Sequence, residues 1–253
     1  MTVGGSLVLM PNALDFGAGE VPLRDVLSDG AIRCAAALQH WVVEDARSAR
    51  AFLKRVAAFT PLSQPLQSLA IVEMPRPRKG SQAAITPAEW RALLAPTLAG
   101  ADIGVLSEAG LPGVADPGAG LVQAAHELGI RVWPLAGPSS LMLALAGSGL
   151  NGQSFAFVGY LAQDATARTT RLRELELLSR RLQQTQIVIE TPYRNSALLS
   201  AMLSALAPQT RLSVSLGLTL PEGWVRCHTV EAWRRQPITL SDRVPAVFAL
   251  LAP

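Results

Sequence analysis

Short runs rich in Val, Ile and Leu alternate along the chain with longer stretches in which apolar residues recur at helical spacing. This alternation is typical of β-strands joined by crossover helices, and it predicts an α/β fold with a largely parallel sheet. In the first half of the chain the apolar runs predict five strands, at 6–10, 40–44, 69–74, 103–107 and 131–135.

A second series of apolar runs follows the segment PLAGPSS and predicts strands at 155–160, 185–190, 211–216, 224–228 and 245–251. From about residue 210 onward these runs are short and close together, which favours antiparallel pairing and therefore a mixed sheet. We expect two α/β domains, 1–137 and 138–253.

Helix start signals lie between the predicted strands. Asp45 is a candidate N-cap for a helix over 45–59, and Ser139 is a candidate N-cap for the helix that follows PLAG. Thr86 is followed by Pro87 and, three residues after the cap, by Glu89, which predicts a capping box at the start of a helix over 86–100.

Composition limits the classes of protein to consider. With 253 residues, 49% of them hydrophobic, the chain can bury a large core. Its apolar runs fall short of the roughly 20 residues that span a bilayer, and its first residues lack the basic start of a secretion signal, so we expect a cytoplasmic protein. Cys34 and Cys227 have no Cys or His neighbours at ligand spacing, so neither a metal site nor a disulfide framework is expected.

The charge pattern permits an anionic partner. The formal net charge is +3, and arginine is concentrated in MPRPRKG at 74–80 and in 168–181. Nucleic acid, phosphate or a carboxylated ligand would each suit this charge, although a solvated helix face also explains the second cluster.

The segment VLSEAGLPGVADPG, 105–118, contains the strongest indication of a ligand site. It leaves a predicted strand at its carboxyl end, where ligands of open α/β sheets bind. Gly110 and Gly113 bracket Leu111 and Pro112, so the backbone can approach an anion and offer N–H groups to it. A purely local turn would use the same residues, but Gly137 and Pro138 repeat the arrangement after the next strand, so we expect two loops to line one cleft.

Familiar nucleotide-binding and hydrolase motifs are not matched. The trio Gly118, Gly120 and Gln123 lacks the third small residue of a dinucleotide fingerprint, and there is no Gly-Lys-Ser/Thr loop and no Gly-x-Ser-x-Gly elbow. These observations disfavour a Rossmann dehydrogenase, a P-loop enzyme and a serine hydrolase.

Segment 107–161 resembles the tetrapyrrole methylase family of S-adenosylmethionine (SAM) dependent methyltransferases. It is most similar to the branch that 2'-O-methylates a cytidine of small-subunit ribosomal RNA, which carries a loop of the form Asp-Ala-Gly-Thr-Pro…Asp-Pro-Gly. Segments 42–53 and 187–199 resemble the Ala-Glu-Asp-Thr-Arg and Tyr-Glu-Ser…His-Arg segments of the same branch.

The resemblance implies two α/β domains with SAM in the cleft between them, commonly a homodimer, and no metal. Carried over by position, it implies that the turn after the fourth strand and the wall after the fifth contact the cofactor. These cofactor-binding candidates are Pro11, Glu108, Gly110, Leu111, Pro112, Gly113, Asp116, Gly137, Pro138, Ser139 and Ser140.

The chain departs from the branch in three places. Its first loop reads PNALDFGAGEVPLRD instead of Thr-Pro-Ile-Gly-Asn-Leu-Gly-Asp, and Leu111 replaces a threonine. Segment 216–233 lacks the arginine and lysine of the branch's Ala-Arg-Glu-Leu-Thr-Lys. Ribosomal RNA is the leading substrate, and a tetrapyrrole or other small acceptor, or a catalytically silent SAM- or RNA-binding paralogue, remain as alternatives.

A hydroxyl or carbon acceptor also needs a base. The candidates are the carboxylates Glu44, Asp45, Glu108 and Glu190, although Asp45 also suits a helix cap and Glu190 a structural ion pair with Arg194. For substrate binding the candidates are the basic residues Arg76, Arg78, Lys79 and Arg194.

Overall fold

A computed structural model of the protein describes residues 4–15, 21–76, 85–236 and 238–253. By its internal contacts the chain divides into two compact units, Met1–Pro138 and Ser139–Pro253. Each unit is an α/β structure built on a five-stranded sheet, as the alternating pattern predicts. Among the described residues, no helix is long and apolar enough to cross a membrane.

The sheet of the first unit is entirely parallel and has the order β3-β2-β4-β1-β5. Each strand matches a predicted one to within a residue at either end. The strands are β1 Ser6–Met10, β2 His40–Val43, β3 Ala70–Glu73, β4 Ile103–Leu106 and β5 Arg131–Pro134. Strand β1 therefore pairs with β4 on one side and with β5 on the other.

Both faces of this sheet are covered, which explains why its central strands are apolar at consecutive positions. Side chains such as Val8 and Trp41 contribute to one buried cluster, and Leu7 and Val42 contribute to a second cluster. Gly104 makes room for the indole of Trp41, because a Cβ at this position would lie 2.6 Å from the ring.

The helices of the first unit supply the covering layers. They are α1 Leu23–Val26, α2 Asp29–Ala37, α3 Ala46–Ala57, α4 Pro87–Ala92, α5 Ala95–Leu98 and α6 Ala119–Glu127. Two predicted starts are confirmed: Asp45 caps α3 through Ser48 N, and Thr86 with Glu89 forms the capping box of α4.

The predicted single helix over 86–100 is wrong, because the structure has two short helices there. Pro96 explains the break. Proline has no N–H to donate, and its ring clashes with the carbonyl four residues earlier, which is that of Ala92, where α4 ends.

The second unit contains a mixed sheet of order β6-β7-β10-β8-β9. Strands β6 and β7 are parallel and the other pairs are antiparallel, which confirms the mixed sheet that the short spacing after residue 210 predicts. The strands are β6 Phe155–Tyr160, β7 Thr185–Glu190, β8 Arg211–Leu216, β9 Trp224–Thr229 and β10 Ala246–Leu251.

Helices pack on both faces of this second sheet. On one face α7 buries Leu141 and Leu145 against β7 and β10, and the other three helices bury the larger cluster that includes Leu172 and Phe248. The helices are α7 Ser140–Ser148, α8 Ala165–Leu182, α9 Asn195–Ala205 and α10 Val230–Arg235.

Candidate functional site

The first sheet brings the segments after β1 and β4 side by side. These strands are hydrogen-bonded neighbours that run in the same direction, so their carboxyl ends lie at the same edge of the sheet. Ligands of open α/β sheets bind at this edge. The glycine-rich segment that the sequence singles out begins here, directly after Leu106.

Asn12 forms hydrogen bonds that link the segment after β1 to the segment after β4. Its backbone N donates to Gly110 O at 2.8 Å, and Gly110 N donates back to Asn12 O at 3.2 Å. Its side-chain Nδ2 donates to the carbonyls of Ser107 at 3.1 Å and Glu108 at 2.9 Å. This buried carboxamide therefore sets the path of the backbone that enters the glycine turn.

Sequence reasoning did not identify Asn12. An asparagine after an apolar strand is a common turn residue, and nothing local shows that its acceptors lie about 95 positions further along the chain. One local signal did point to Asn12. A polar residue directly after a buried strand is itself buried, and its amide then needs hydrogen-bond partners.

The glycine turn uses backbone conformations that favour glycine. Gly110, Gly113 and Gly118 have φ values of 69°, 80° and 130°. A side chain at these positions would be strained. Gly110 and Gly118 are buried, and Gly113 is half-buried. Leu111 is half-buried and Pro112 is buried between the first two glycines.

The segment after β5 contacts the same region. A Cβ on Gly137 would lie 2.1 Å from Cβ of Pro11, and a Cβ on Gly110 would lie 3.6 Å from the carbonyl oxygen of Pro138. The candidate cofactor residues Pro11, Gly110, Gly137 and Pro138 are therefore close together in the first unit. Ser139 and Ser140 follow in the chain and begin α7 of the second unit, where Ser139 takes the N-cap position without a side-chain hydrogen bond.

Carboxylates from two strand ends meet beside the glycine turn. Glu44, directly after β2, donates its backbone N–H to Leu106 O at 3.0 Å. Its Oε2 accepts a hydrogen bond from Glu108 N at 3.1 Å. Arg76 Nη2 donates to the carbonyl oxygen of Glu44 at 2.7 Å, so one candidate substrate residue lies at this edge too.

The acidity of these carboxyl groups differs with their surroundings. Burial and then the charge of Glu44 raise the pKa of Asp116 to about 6, although a hydrogen bond from Ser107 acts in the opposite direction. Burial, followed by the charges of Glu44 and Asp45, also raises the pKa of Glu108. Among the described carboxyl groups, Asp116 is thus one that exchanges a proton near neutral pH.

Asp45 has a different environment. Its Oδ1 accepts a hydrogen bond from Ser48 N at 2.7 Å, and this bond lowers the pKa of its carboxyl group. The side chain therefore caps α3 in its ionised form, as the helix-cap alternative describes.

Glu190 and Arg194 lie in the second unit. Arg194 Nη2 is 3.0 Å from Glu190 Oε2, and Glu190 Oε1 accepts a hydrogen bond from Thr191 N at 2.9 Å. The side chain of Arg194 is 18% exposed and that of Glu190 is 1% exposed. They form the structural ion pair that the sequence offers as the alternative to a role of Glu190 as the base.

The remaining predicted residues have simple placements. Arg78 and Lys79 lie outside the described residues.

Over the part of the chain that the structure describes, no group of three or more His, Cys, Asp or Glu side chains is placed to hold a metal ion.

Sequence comparison finds relatives that match part of the chain. No protein-family model matches it. It is 36% identical over 140 residues to "Ribosomal RNA small subunit methyltransferase I" of Mesorhizobium japonicum, a match that covers 55% of this chain and 46% of the relative. For the proteins of the same name from Vibrio cholerae and Xylella fastidiosa, identity is 37% over 122 residues and 46% over 78 residues. These matches cover 48% and 31% of this chain and 41% and 29% of the relatives, so the chain spans less than half the length of each.

Structural comparison matches nearly the whole chain. The methyltransferase CobJ superposes with a TM-score of 0.52 at 15% identity, covering 90% of this chain and 94% of its own. Uroporphyrin-III C-methyl transferase from Thermus thermophilus, solved with S-adenosyl homocysteine, gives 0.51 at 18% identity, covering 90% and 91%. A conserved hypothetical protein from Aeropyrum pernix K1 gives 0.61 at 17%, covering 98% and 85%. At these identities the likeness establishes the fold.

Proposed function

We infer the function from the family that the chain resembles in both sequence and fold, the tetrapyrrole methylases, and within it from the ribosomal RNA branch. We propose that the chain is a SAM-dependent methyltransferase that transfers a methyl group to ribosomal RNA. The names of its curated relatives support this substrate, and the solved neighbour with S-adenosyl homocysteine supports the cofactor.

The observation that carries the proposal is the glycine turn at the end of β4. Gly110 and Gly113 give this turn positive φ angles that other residues rarely adopt, and Asn12 fixes the start of its backbone. Such a turn fits a ligand with a carboxylate, because backbone N–H groups solvate an anion at close range. SAM has a carboxylate on its methionine part and supplies a methyl group on a positively charged sulfur.

We assign the cofactor contacts to the segments after β1, β4 and β5, which lie close together in the first unit. Gly110, Leu111, Pro112 and Gly113 form the proposed turn, with Pro11 and Gly137 beside it. The contribution of these residues is to hold the acceptor and the methyl group in line. Alignment of this kind is worth about 7–11 kcal/mol of a reaction barrier in favourable cases.

An RNA hydroxyl must lose its proton when it is methylated. We propose Glu108 and Asp116 as the groups that accept it, because both lie at the glycine turn, where burial and then neighbouring carboxylates raise the pKa of each. Glu44 holds the backbone N–H of Glu108 and so orients this segment. Arg76, anchored at the same edge, is the proposed contact to the substrate phosphate.

The assembly and location follow from the same resemblance. We propose a homodimer that acts in the cytoplasm, where ribosomal RNA is its substrate. Gel filtration with light scattering measures the mass directly, and a mass of one chain at micromolar concentration contradicts the dimer.

A tetrapyrrole or another small acceptor is the second candidate. It is favoured by the turn between β8 and β9, which lacks the basic residues of the ribosomal RNA branch. This turn contains Leu218 and Leu220 and is tightly closed, since a Cβ on Gly223 would lie 2.1 Å from Gly217 O. The charged residue of this turn is the exposed Glu222, so the turn offers no cation to a phosphate, while its leucines can pack against the carbon skeleton of a small acceptor.

The experiment combines two measurements on one preparation. Calorimetry measures the binding of SAM and of S-adenosylhomocysteine, and labelled SAM measures methyl transfer to small ribosomal subunits that lack modification. Saturable SAM binding with label in the RNA supports the proposal. Binding without labelled RNA indicates the second candidate or a silent paralogue, and absence of binding refutes the methyltransferase.

A further inference from the structure

Helix α8 is the longest helix of the second unit among the described residues, and its two faces differ sharply. It has 18 residues, and its inward face buries Leu172, Leu175, Glu176 and Ser179. Five arginines and two glutamates lie between its ends, so the helix carries an excess of positive charge.

Neither glutamate is available to neutralise the outer face. Glu176 points inward and is 9% exposed, and its Oε1 accepts hydrogen bonds from Ala207 N at 2.8 Å and from the hydroxyl of Thr210. Glu174 is paired with Arg171, at 3.0 Å. Glu176 therefore links α8 to the segment after α9, and Glu174 forms an ion pair with an arginine of its own helix.

Arg173, Leu177 and Arg181 follow one another on the outer face at intervals of four residues. These positions lie on one line along a helix, and the line is about 12 Å long. Leu177 is 62% exposed and both arginines are exposed. Within the described residues, neither arginine forms an ion pair or a hydrogen bond. We call these three residues the outer row of α8.

The two arginines at the end of α10 are engaged in the structure. Arg234 on α10 donates hydrogen bonds to Leu203 O at 2.7 Å and to Leu206 O at 3.0 Å, where it satisfies carbonyls at the end of α9. Arg235 pairs with Glu231. The outer row differs because its charges have no comparable structural task.

A helix dipole explains only part of the outer row. Arg181 lies in the last turn, where a positive charge stabilises the carboxyl end of the helix. Arg173 lies in the middle of the helix, where this effect is absent. Leu177 adds an exposed apolar side chain between two charges that attract a polyanion.

We propose that the outer row of α8 contacts the sugar-phosphate backbone of the RNA substrate, an inference that rests on the proposed function. The arginine forks match phosphate oxygens, and Leu177 packs against the sugar between them. The row is a surface for holding RNA and takes no part in the transfer of the methyl group.

The test compares two double variants of the full chain. R173E/R181E reverses both charges of the row, and R33E/K54E makes the same change in net charge at exposed positions of α2 and α3. The RNA probe is small-subunit ribosomal RNA transcribed without modification, and binding is measured over a series of salt concentrations. A third variant, R173Q/R181Q, removes the charges without adding new ones.

We expect R173E/R181E to bind this RNA about tenfold more weakly at low salt, and the slope of log K against log[salt] to fall by about one to two. The glutamine variant should show a smaller loss of the same kind, and the control should change less than twofold. Wild-type affinity and slope in both row variants would overturn the inference, as would a wild-type protein that does not bind the RNA.

SAM binding separates this inference from the proposed function. All variants should bind SAM as the wild type does, because the row lies in α8 and the proposed cofactor turn follows β4. A wild-type protein that binds RNA through the row but does not bind SAM refutes the methyltransferase and leaves the surface supported.

Discussion

Arg55 of α3 forms a bidentate salt bridge with the carboxylate of Asp15, which lies in the segment after β1. Two parallel contacts join them, from Nη1 to Oδ1 at 3.1 Å and from Nη2 to Oδ2 at 2.8 Å. Arg55 Nη2 also donates to Val21 O at 2.7 Å. The side chain of Asp15 is fully buried, so water does not reach the carboxylate end of this salt bridge.

Replacement of Arg55 with methionine should destabilise the protein by about 3 kcal/mol, because it removes the cation of a salt bridge to a fully buried carboxylate. The free energy of unfolding in urea measures the loss. Arg91→Met is the matched control, since its ion pair with Glu127 is exposed and should contribute far less to stability. Equal losses in the two variants would contradict the role given to the buried pair.

Asn12→Ala should weaken SAM binding about tenfold and lower the stability by about 1–3 kcal/mol, because the carbonyls of Ser107 and Glu108 lose their donor. Asn151→Ala is the control. Asn151 likewise donates to a distant carbonyl, that of Gln183 at 2.7 Å, but it belongs to the second unit. We expect it to lose stability and to keep its affinity for SAM; a parallel loss of affinity in both would refute a specific role of Asn12.

Gly137→Ala should be destabilising, by about 1–3 kcal/mol, since the new methyl group would lie 2.1 Å from Pro11 Cβ and one of the two segments must move. Gly152→Ala provides the comparison, because its Cβ would meet no atom within 4 Å. The control should stay within about 0.5 kcal/mol of the wild type in thermal or chemical unfolding. A neutral Gly137→Ala would show that the two segments are not held in contact.

Asp116 should make the stability depend on pH. Its pKa is raised from 3.8 to about 6 in the folded protein, so the folded state binds more protons than the unfolded state between these values. The free energy of unfolding should therefore fall as the pH rises from about 4 to about 6 and change little from this source above that range. Urea midpoints of wild type and Asp116→Asn should diverge over this interval. Identical pH profiles would contradict the raised pKa.

The strands were predictable because their signal is local. A run such as SLVLM is apolar at every position except its first, and such runs are typical of strands that are buried on both faces. The caps at Asp45 and Thr86 are equally local, since donor and acceptor lie within four positions. Pro96 is also a local signal and indicates a helix break, but the apolar pattern continues across this residue and favoured a single helix.

The contacts that shape the candidate site were not predictable in this way. Asn12 and its acceptors are about 95 positions apart, and Arg55 and Asp15 are 40 apart. Such pairs arise from the order of the strands, which the pattern of a single sequence does not specify. Glu44 was a candidate because it lies at a strand end and Glu108 because it lies in the glycine loop. The structure then shows that the carboxylate of Glu44 accepts a hydrogen bond from the backbone N–H of Glu108.

The strand order of the first sheet has a consequence for how the chain acquires its structure. Strand β1 is made first, yet both of its neighbours, β4 and β5, follow more than 90 residues later. Strands β2 and β3 are separated by far fewer residues, so they can pair before the partners of β1 have been synthesised. Loop closure over such distances is slow, and an apolar strand without partners is prone to aggregate. Successful synthesis of this protein therefore depends on the time during which its first strand remains unpaired.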